Sequence, residues 1–213
     1  MKKNILGSLS IILLLFMIGF ILYEFKKNQN HFKQNYLVIK KERNDLEKKL
    51  NDLEQNYNNK FFNEKQNENF PFNKNLKLIT INRDTVLANN VLKNKLVLRY
   101  NESNCRLCVD SEIDILIKNA SLFTDEVCVV ATYNKFRGII VDKRKFVNNG
   151  LNNIKIYWVS SNLNIPLEKQ NIPYYFYLNS NLTLNNVFIP MKEYPKLSQT
   201  YLKFALKNFF DKI

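Results

Sequence analysis

"KLVLRYNESNCRLCVD", residues 95–110, is an apolar run that ends a few polar residues before two cysteines. The segment from Lys95 to Tyr100 predicts a strand. After Cys108, residues Val109, Ile113, Leu116 and Ile117 recur at helical spacing, so a helix follows. Cys105 and Cys108 therefore stand at a strand-to-helix turn, at the N-terminus of a helix. Unpaired backbone N–H groups and the helix dipole stabilise an anion there. A thiolate is such an anion, and it is the form of cysteine that attacks disulfides. Cys105, nearer the terminus and the surface, is the expected nucleophile. Cys108, one turn on and on the same face, is the expected resolving thiol.

Outward from this turn the pattern stays that of an α/β domain. "LKLITI" alternates as a strand, "NRD" makes a turn and "TVLA" a second short strand. "EVCVVATY" and "IKIYWVS" read as buried strands, with Trp158 in the core. "YYFYLN" and "LTLNNVFI" flank "SN", a hairpin signal. Pro190 and Pro195 bracket the last loop. "YPKLSQTYLKFALKNFF" closes the chain as an amphipathic helix, with Leu197, Tyr201, Phe204, Ala205 and Phe209 on one face. Strands alternating with helices imply a sheet with a parallel part and crossover helices.

Before residue 74 the chain is organised differently. Ile5 to Tyr23 carries no charge and suits a single helix across a hydrocarbon core of ~30 Å. Lys2–Lys3 and Lys26–Lys27 flank it as interfacial residues do. Residues 1–27 are thus expected to be an uncleaved transmembrane anchor, since the residues after Tyr23 offer no small-residue cleavage site. The lysines on its C-terminal side, counted alone, would keep that side cytoplasmic; long domains can nevertheless translocate despite their charge. Residues 28–60 carry Phe32, Tyr36, Ile39, Arg43, Leu46, Leu50, Leu53 and Tyr57 in alternating steps of four and three. That is a heptad seam broken by Arg43, which predicts a helical coiled-coil stalk able to form a homodimer. Residues 61–73 are asparagine-rich, lose the period, and read as a linker to a domain over 74–213.

The 213 residues carry a net charge of +13, but the lysines are spread along the chain with no compact basic stripe and no nucleic-acid motif. Nucleic acid is therefore not an expected partner. Three cysteines are too few for a disulfide scaffold. One C-x-x-C supplies two zinc ligands where four are needed. The single histidine, His31, lies in the stalk, and Cys128 sits in a buried strand as a small apolar residue. No metal and no cofactor are expected.

The stretch "LKLITINRDTVLANNVLKNKLVLRYNESNCRLC", followed by "NIPYYFYLNSNLTLNNVFIP", resembles the membrane-anchored, TlpA-like thioredoxin-like oxidoreductases of bacteria. The resemblance covers Leu76 to the C-terminus. It implies a thioredoxin-like domain, with a mixed central sheet and flanking helices. It also implies thiol–disulfide exchange with protein partners, from the inner membrane and on its periplasmic side. In that family a cis-proline packs against the cysteine pair, and Pro173 matches it. There are departures. Asn104 stands where the family has tryptophan, and Arg106-Leu107 where it has Gly-Pro or Pro-Pro. Arg99 stands where it has a buried acid or amide that helps take the proton of the resolving cysteine. Arg99 cannot take a proton, though a buried cation would favour thiolate. Glu102 is the nearest acid that could substitute, while Asp110, Glu112 and Asp114 in the early helix oppose a thiolate. Helix position and Arg99 together imply a Cys105 pKa below ~8.5, and a couple more oxidising than thioredoxin's ~−270 mV. Peroxiredoxins resemble the domain too but carry a threonine ahead of their cysteine, where this chain has Asn101 to Asn104. The reading from a different class is a non-catalytic thioredoxin-like binding module. For Tyr174 to Tyr177 the expectation is sheet packing, with a substrate-groove wall beside Pro173 as the functional option.

Overall fold

The computed structural model describes residues 2–123 and 125–210, with side chains for 16–119, 121–123 and 125–210. It divides into two compact units, Met1–Tyr57 and Asn58–Ile213. The first unit consists of helix α1, which runs Lys2–Asn67 and so continues into the second. The apolar run expected as an anchor lies largely outside the residues with described side chains. Among the described residues no helix is long and apolar enough to cross a membrane. The apolar residues of the heptad seam, from Phe32 to Tyr57, are all exposed.

The second unit is built on seven strands. In chain order they and the helices are β1 (Lys77–Ile79), β2 (Thr85–Leu87), α2 (Ala88–Val91), β3 (Lys95–Asn101), α3 (Arg106–Lys118), β4 (Val127–Thr132), α4 (Arg137–Asn148), β5 (Lys155–Trp158), β6 (Tyr174–Leu178), β7 (Leu184–Phe188) and α5 (Pro195–Phe210). The strands lie in the order β2-β1-β5-β4-β3-β6-β7. β3, β4 and β5 run parallel. β6 pairs antiparallel with β3, and β7 with β6. The expected strands, hairpin and closing helix are all present. The strand after Asp125 is followed by α4, whose place the sequence reading left only as a crossover.

β3 is buried along five consecutive residues, because both faces of the sheet are covered. Its side chains alternate between two cores. Leu96, Leu98 and Tyr100 join Val109, Ile113 and Leu116 of α3, Ile139 and Phe146 of α4, and Leu202 and Leu206 of α5. Val97 packs on the opposite face with Phe72, Leu92, Val130, Leu163 and Phe176. Trp158 is only partly buried; its Nε1–H donates to the Tyr133 carbonyl at 3.1 Å, and Phe136 meets its ring edge-on. Cys128 is buried in β4, as its strand position implies, and burial pushes its thiol up to about 12.

Residues 61–73 are not a linker. α1 continues to Asn67, and its last turn together with the residues after it closes the free edge of β7. The Glu64 carboxylate accepts from the Ile189 N–H at 2.7 Å and Glu68 from the Val187 N–H at 2.8 Å. Leu184 donates to the Phe70 carbonyl and Phe72 to the Leu182 carbonyl. Asn67 Oδ1 takes the Leu167 N–H, and the Phe72 side chain enters the core. The heptad period lapses here because the chain stops presenting a seam and starts presenting acceptors to a strand edge. A fragment starting at Lys74 would therefore lose those bonds and the Phe72 ring. A buried Phe alone is worth ~3–5 kcal/mol, against a total stability of ~5–15 kcal/mol. The fragment from Asn58 should unfold cooperatively in urea, and the fragment from Lys74 should aggregate or melt far earlier. Equal midpoints would contradict the edge closure.

Glu112 of α3 faces the α5 side of the core, where Ser198 Oγ–H donates to it at 3.0 Å. Burial pushes its carboxyl up to about 7, against the opposing pull of hydrogen bonds from Ser198 and Tyr175. Below the ordinary value of 4.5 the group is protonated in both folded and unfolded chains. As pH rises from there through about 7, the unfolded chain releases the proton and the folded chain keeps it, so stability falls. The full cost above that window is about 3 kcal/mol. Urea unfolding of the Asn58 fragment should show this decline, and Glu112→Gln should flatten it. An unchanged pH profile in the variant would contradict the protonated, buried Glu112.

Candidate redox site at the start of helix α3

The turn between β3 and α3 is built from asparagine side chains. Asn101 Oδ1 accepts the Ser103 N–H at 2.9 Å, and Asn104 Oδ1 accepts the Asn101 N–H at 2.8 Å. Such side-chain-to-backbone bonds hold a tight turn without glycine. Asn104, in the place of the family's tryptophan, is buried and acts as part of this turn.

The turn delivers Cys105 as the N-cap of α3, where its Sγ accepts the Cys108 N–H at 3.3 Å. Cys105 and Cys108 are joined as a disulfide, with their Cα atoms 5.2 Å apart. Cys105 is exposed and Cys108 half-buried. An exposed sulfur on a helix N-terminus, with a second sulfur one turn inward, is the arrangement needed for attack by the first and resolution by the second.

The other expected site residues fall differently. Arg99 is 1% exposed and lies on the Val97 face of β3. Its Nε donates to Glu168 Oε1 at 2.6 Å and its Nη1 to the Tyr100 carbonyl at 2.7 Å. Glu168 also accepts the Leu163 N–H. Arg99 is buried as a cation, as expected, and Glu168 pairs with it and offsets the charge that was expected to favour the Cys105 thiolate. The Tyr174 phenol beside this pair is raised well above its usual value, first by burial and then by the Glu168 charge.

Glu102 is exposed and its carboxylate accepts the Asn134 N–H at 2.6 Å, which ties the turn to the loop before α4. Pro173 is buried just ahead of β6, and its loop meets the cysteine turn where Ser103 Oγ lies 3.2 Å from Asn171 Oδ1. Among the described residues every peptide bond is trans, so the expected cis isomer at Pro173 is absent. Tyr174, Tyr175 and Phe176 are buried and Tyr177 stacks on Phe209, which makes this strand packing and not a groove wall.

The sequence reading missed the partners of Arg106. Its Nη2 donates to Asp142 Oδ1 at 2.8 Å, its Nη1 to the Tyr133 hydroxyl at 2.9 Å, and Asp110 lies at 3.0 Å. Asp142 has no exposed surface and accepts also from the hydroxyls of Tyr100, at 2.6 Å, and Tyr133. Asp110 is shared with Lys145 at 2.6 Å. The signal for Asp142 was present: it stands three residues after Ile139 and four before Phe146, on the buried face of α4. Burial, and then Asp142, raise both tyrosines above their usual values.

No family model matches the sequence, and no curated protein does. Solved structures similar to it include a candidate electron transfer protein of Aquifex aeolicus VF5, at 14% identity and TM-score 0.46, covering 65% of this chain and 90% of that one. A thio-disulfide isomerase of Thermus thermophilus matches at 14% identity and TM-score 0.42, covering 65% and 94%. An uncharacterized thioredoxin-like protein of Porphyromonas gingivalis matches at 14% and 0.40, covering 66% and 94%. A parallel β3-α3-β4 unit, an antiparallel β6-β7 hairpin on the other side of β3, and a closing helix make the second unit a thioredoxin-like domain.

Proposed function

We propose that the protein is a thiol–disulfide oxidoreductase that exchanges disulfides with protein partners through Cys105 and Cys108. The observation that carries this reading is the exposed Cys105 sulfur at the N-cap of α3, bonded to Cys108 and receiving its N–H. In the reduced protein, Cys105 thiolate attacks one sulfur of a partner disulfide. A mixed disulfide forms and the partner's other sulfur leaves as thiolate. Cys108 then gives its proton to solvent and attacks Cys105 Sγ, which breaks the mixed disulfide and releases the partner's second sulfur. The partner gains two electrons, and Cys105–Cys108 is the oxidised product. The reverse sequence introduces a disulfide. The loop before Pro173 meets the cysteine turn through Asn171 and Ser103, so Pro173 borders the path of a partner chain in this reading.

In this reading the apolar run Ile5–Tyr23 anchors the chain in the inner membrane, with the thioredoxin-like domain on the periplasmic side. The exposed seam of Phe32, Tyr36, Ile39, Leu46, Leu50 and Leu53 packs against a second copy to form a homodimer.

A Cys108→Ser variant of the full-length chain, expressed in cells, should accumulate mixed disulfides that dithiothreitol releases, and Cys105→Ser should accumulate none. The captured proteins should be extracytoplasmic; cytoplasmic ones would overturn the location and leave the chemistry standing. No trapped protein, together with no insulin reduction by the wild type, would leave a non-catalytic binding module as the better reading.

A further inference from the structure

Arg106 follows Cys105 directly in the chain, and its guanidinium is engaged by Asp142 of α4, Tyr133 and Asp110. Its charge is thus met by two carboxylates. Asp142 is fixed in turn by the Tyr100 and Tyr133 hydroxyls, and Asp110 by Lys145. Arg106, Lys145, Asp110 and Asp142 sum to zero charge. The Tyr133 ring lies so close to Gly138 that any Cβ there would collide with it, and its phenol bridges Arg106 and Asp142. Arg106 itself is exposed, and it is Asp142, with no exposed surface, that needs these donors.

We propose that Asp142 is a positioning residue for the cysteine pair: it holds Arg106 on the α4 side and keeps that charge from stabilising the Cys105 thiolate. This deepens the exchange function above and rests on it. The clamp sets the couple on the reducing side of what the α3 N-terminus and a free arginine would together give, since a stabilised thiolate favours the reduced form. Asp142→Asn keeps an oxygen to accept from the tyrosines but turns an N–H₂ toward, or loses its charge against, the guanidinium. Arg106 then loses its charged partner on α4 and keeps only Asp110 and the Tyr133 hydroxyl.

The test is equilibration of the full-length protein in detergent with glutathione. Protein disulfide and two glutathione thiols convert to protein dithiol and one glutathione disulfide, with the reduced fraction read by alkylation and mass shift. Asp142→Asn should move this equilibrium about tenfold toward the reduced protein, which is about 30 mV. In an Arg106→Gln background the same substitution should move it less than twofold. If Asp142→Asn does not fold, Tyr133→Phe, which removes one partner from Arg106, should shift the equilibrium in the same direction and by less. A merely structural role would lower stability without moving the equilibrium. A wild type that equilibrates while Asp142→Asn shifts less than twofold overturns the clamp alone. A shift of equal size without Arg106 also overturns it, because Asp142 would then act by its own charge. A wild type that forms no reversible disulfide overturns the exchange function itself.

Discussion

The hydrogen bond from the Cys108 N–H to Cys105 Sγ ties the reactive pair to the first turn of α3, and the remaining parts of the site are placed by what that turn requires. A sulfur in the N-cap position must receive its helix from a strand that ends in register just before it. β3 does this, held by parallel pairing to β4 and antiparallel pairing to β6. The Asn101–Asn104 bonds then reverse the chain within a few residues. Bringing α3 down onto the sheet buries Val109, Ile113 and Leu116 and leaves Cys105 outside. Exposure of one sulfur and partial burial of the other thus follow from where the helix begins.

Two arginines flank this turn, Arg99 buried and Arg106 exposed, and each is paired with a buried carboxylate. Arg99 lies below it with Glu168, and Arg106 lies within it with Asp142. A buried charge without a partner is costly, whereas a paired and hydrogen-bonded one is tolerated. Each arginine therefore has a carboxylate drawn from a distant part of the chain, the 3-10 turn Pro166–Gln170 in one case and α4 in the other. Removing Glu168 from the fully buried Arg99 costs ~3–5 kcal/mol, whereas Arg106 keeps water as a partner on its exposed side. The cysteine pair consequently sits among balanced charges, with the N-terminus of α3 as the uncompensated field beside it.

How much of this could be read from the sequence depended on the range of the interaction. β3, α3, the β6-β7 hairpin and α5 are local patterns of period two or near four, and each is where its residues imply. The placement of Cys105 at the start of a helix is equally local. Pairings across 69 and 36 residues, Arg99 with Glu168 and Arg106 with Asp142, are not. That is why Arg99 read as a bare cation and Glu102 as a proton acceptor. Residues 61–73 misled for a different reason: asparagine is loop-forming by composition, yet here α1 runs on through them and Glu64 and Glu68 supply acceptors for a strand edge. Asp142 alone of the distant partners left a local trace, as a lone acid on an apolar helix face.

If the α3 N-terminus activates Cys105, its thiol must ionise more readily than a free one. The direct measurement is the ultraviolet absorbance of thiolate in the reduced full-length protein as pH is raised, with Cys105→Ser as the reference. A Cys105 titration midpoint clearly below the free-thiol value of ~8.5 is the predicted result. A midpoint at or above that value would contradict the account, because the cap position would then confer no reactivity.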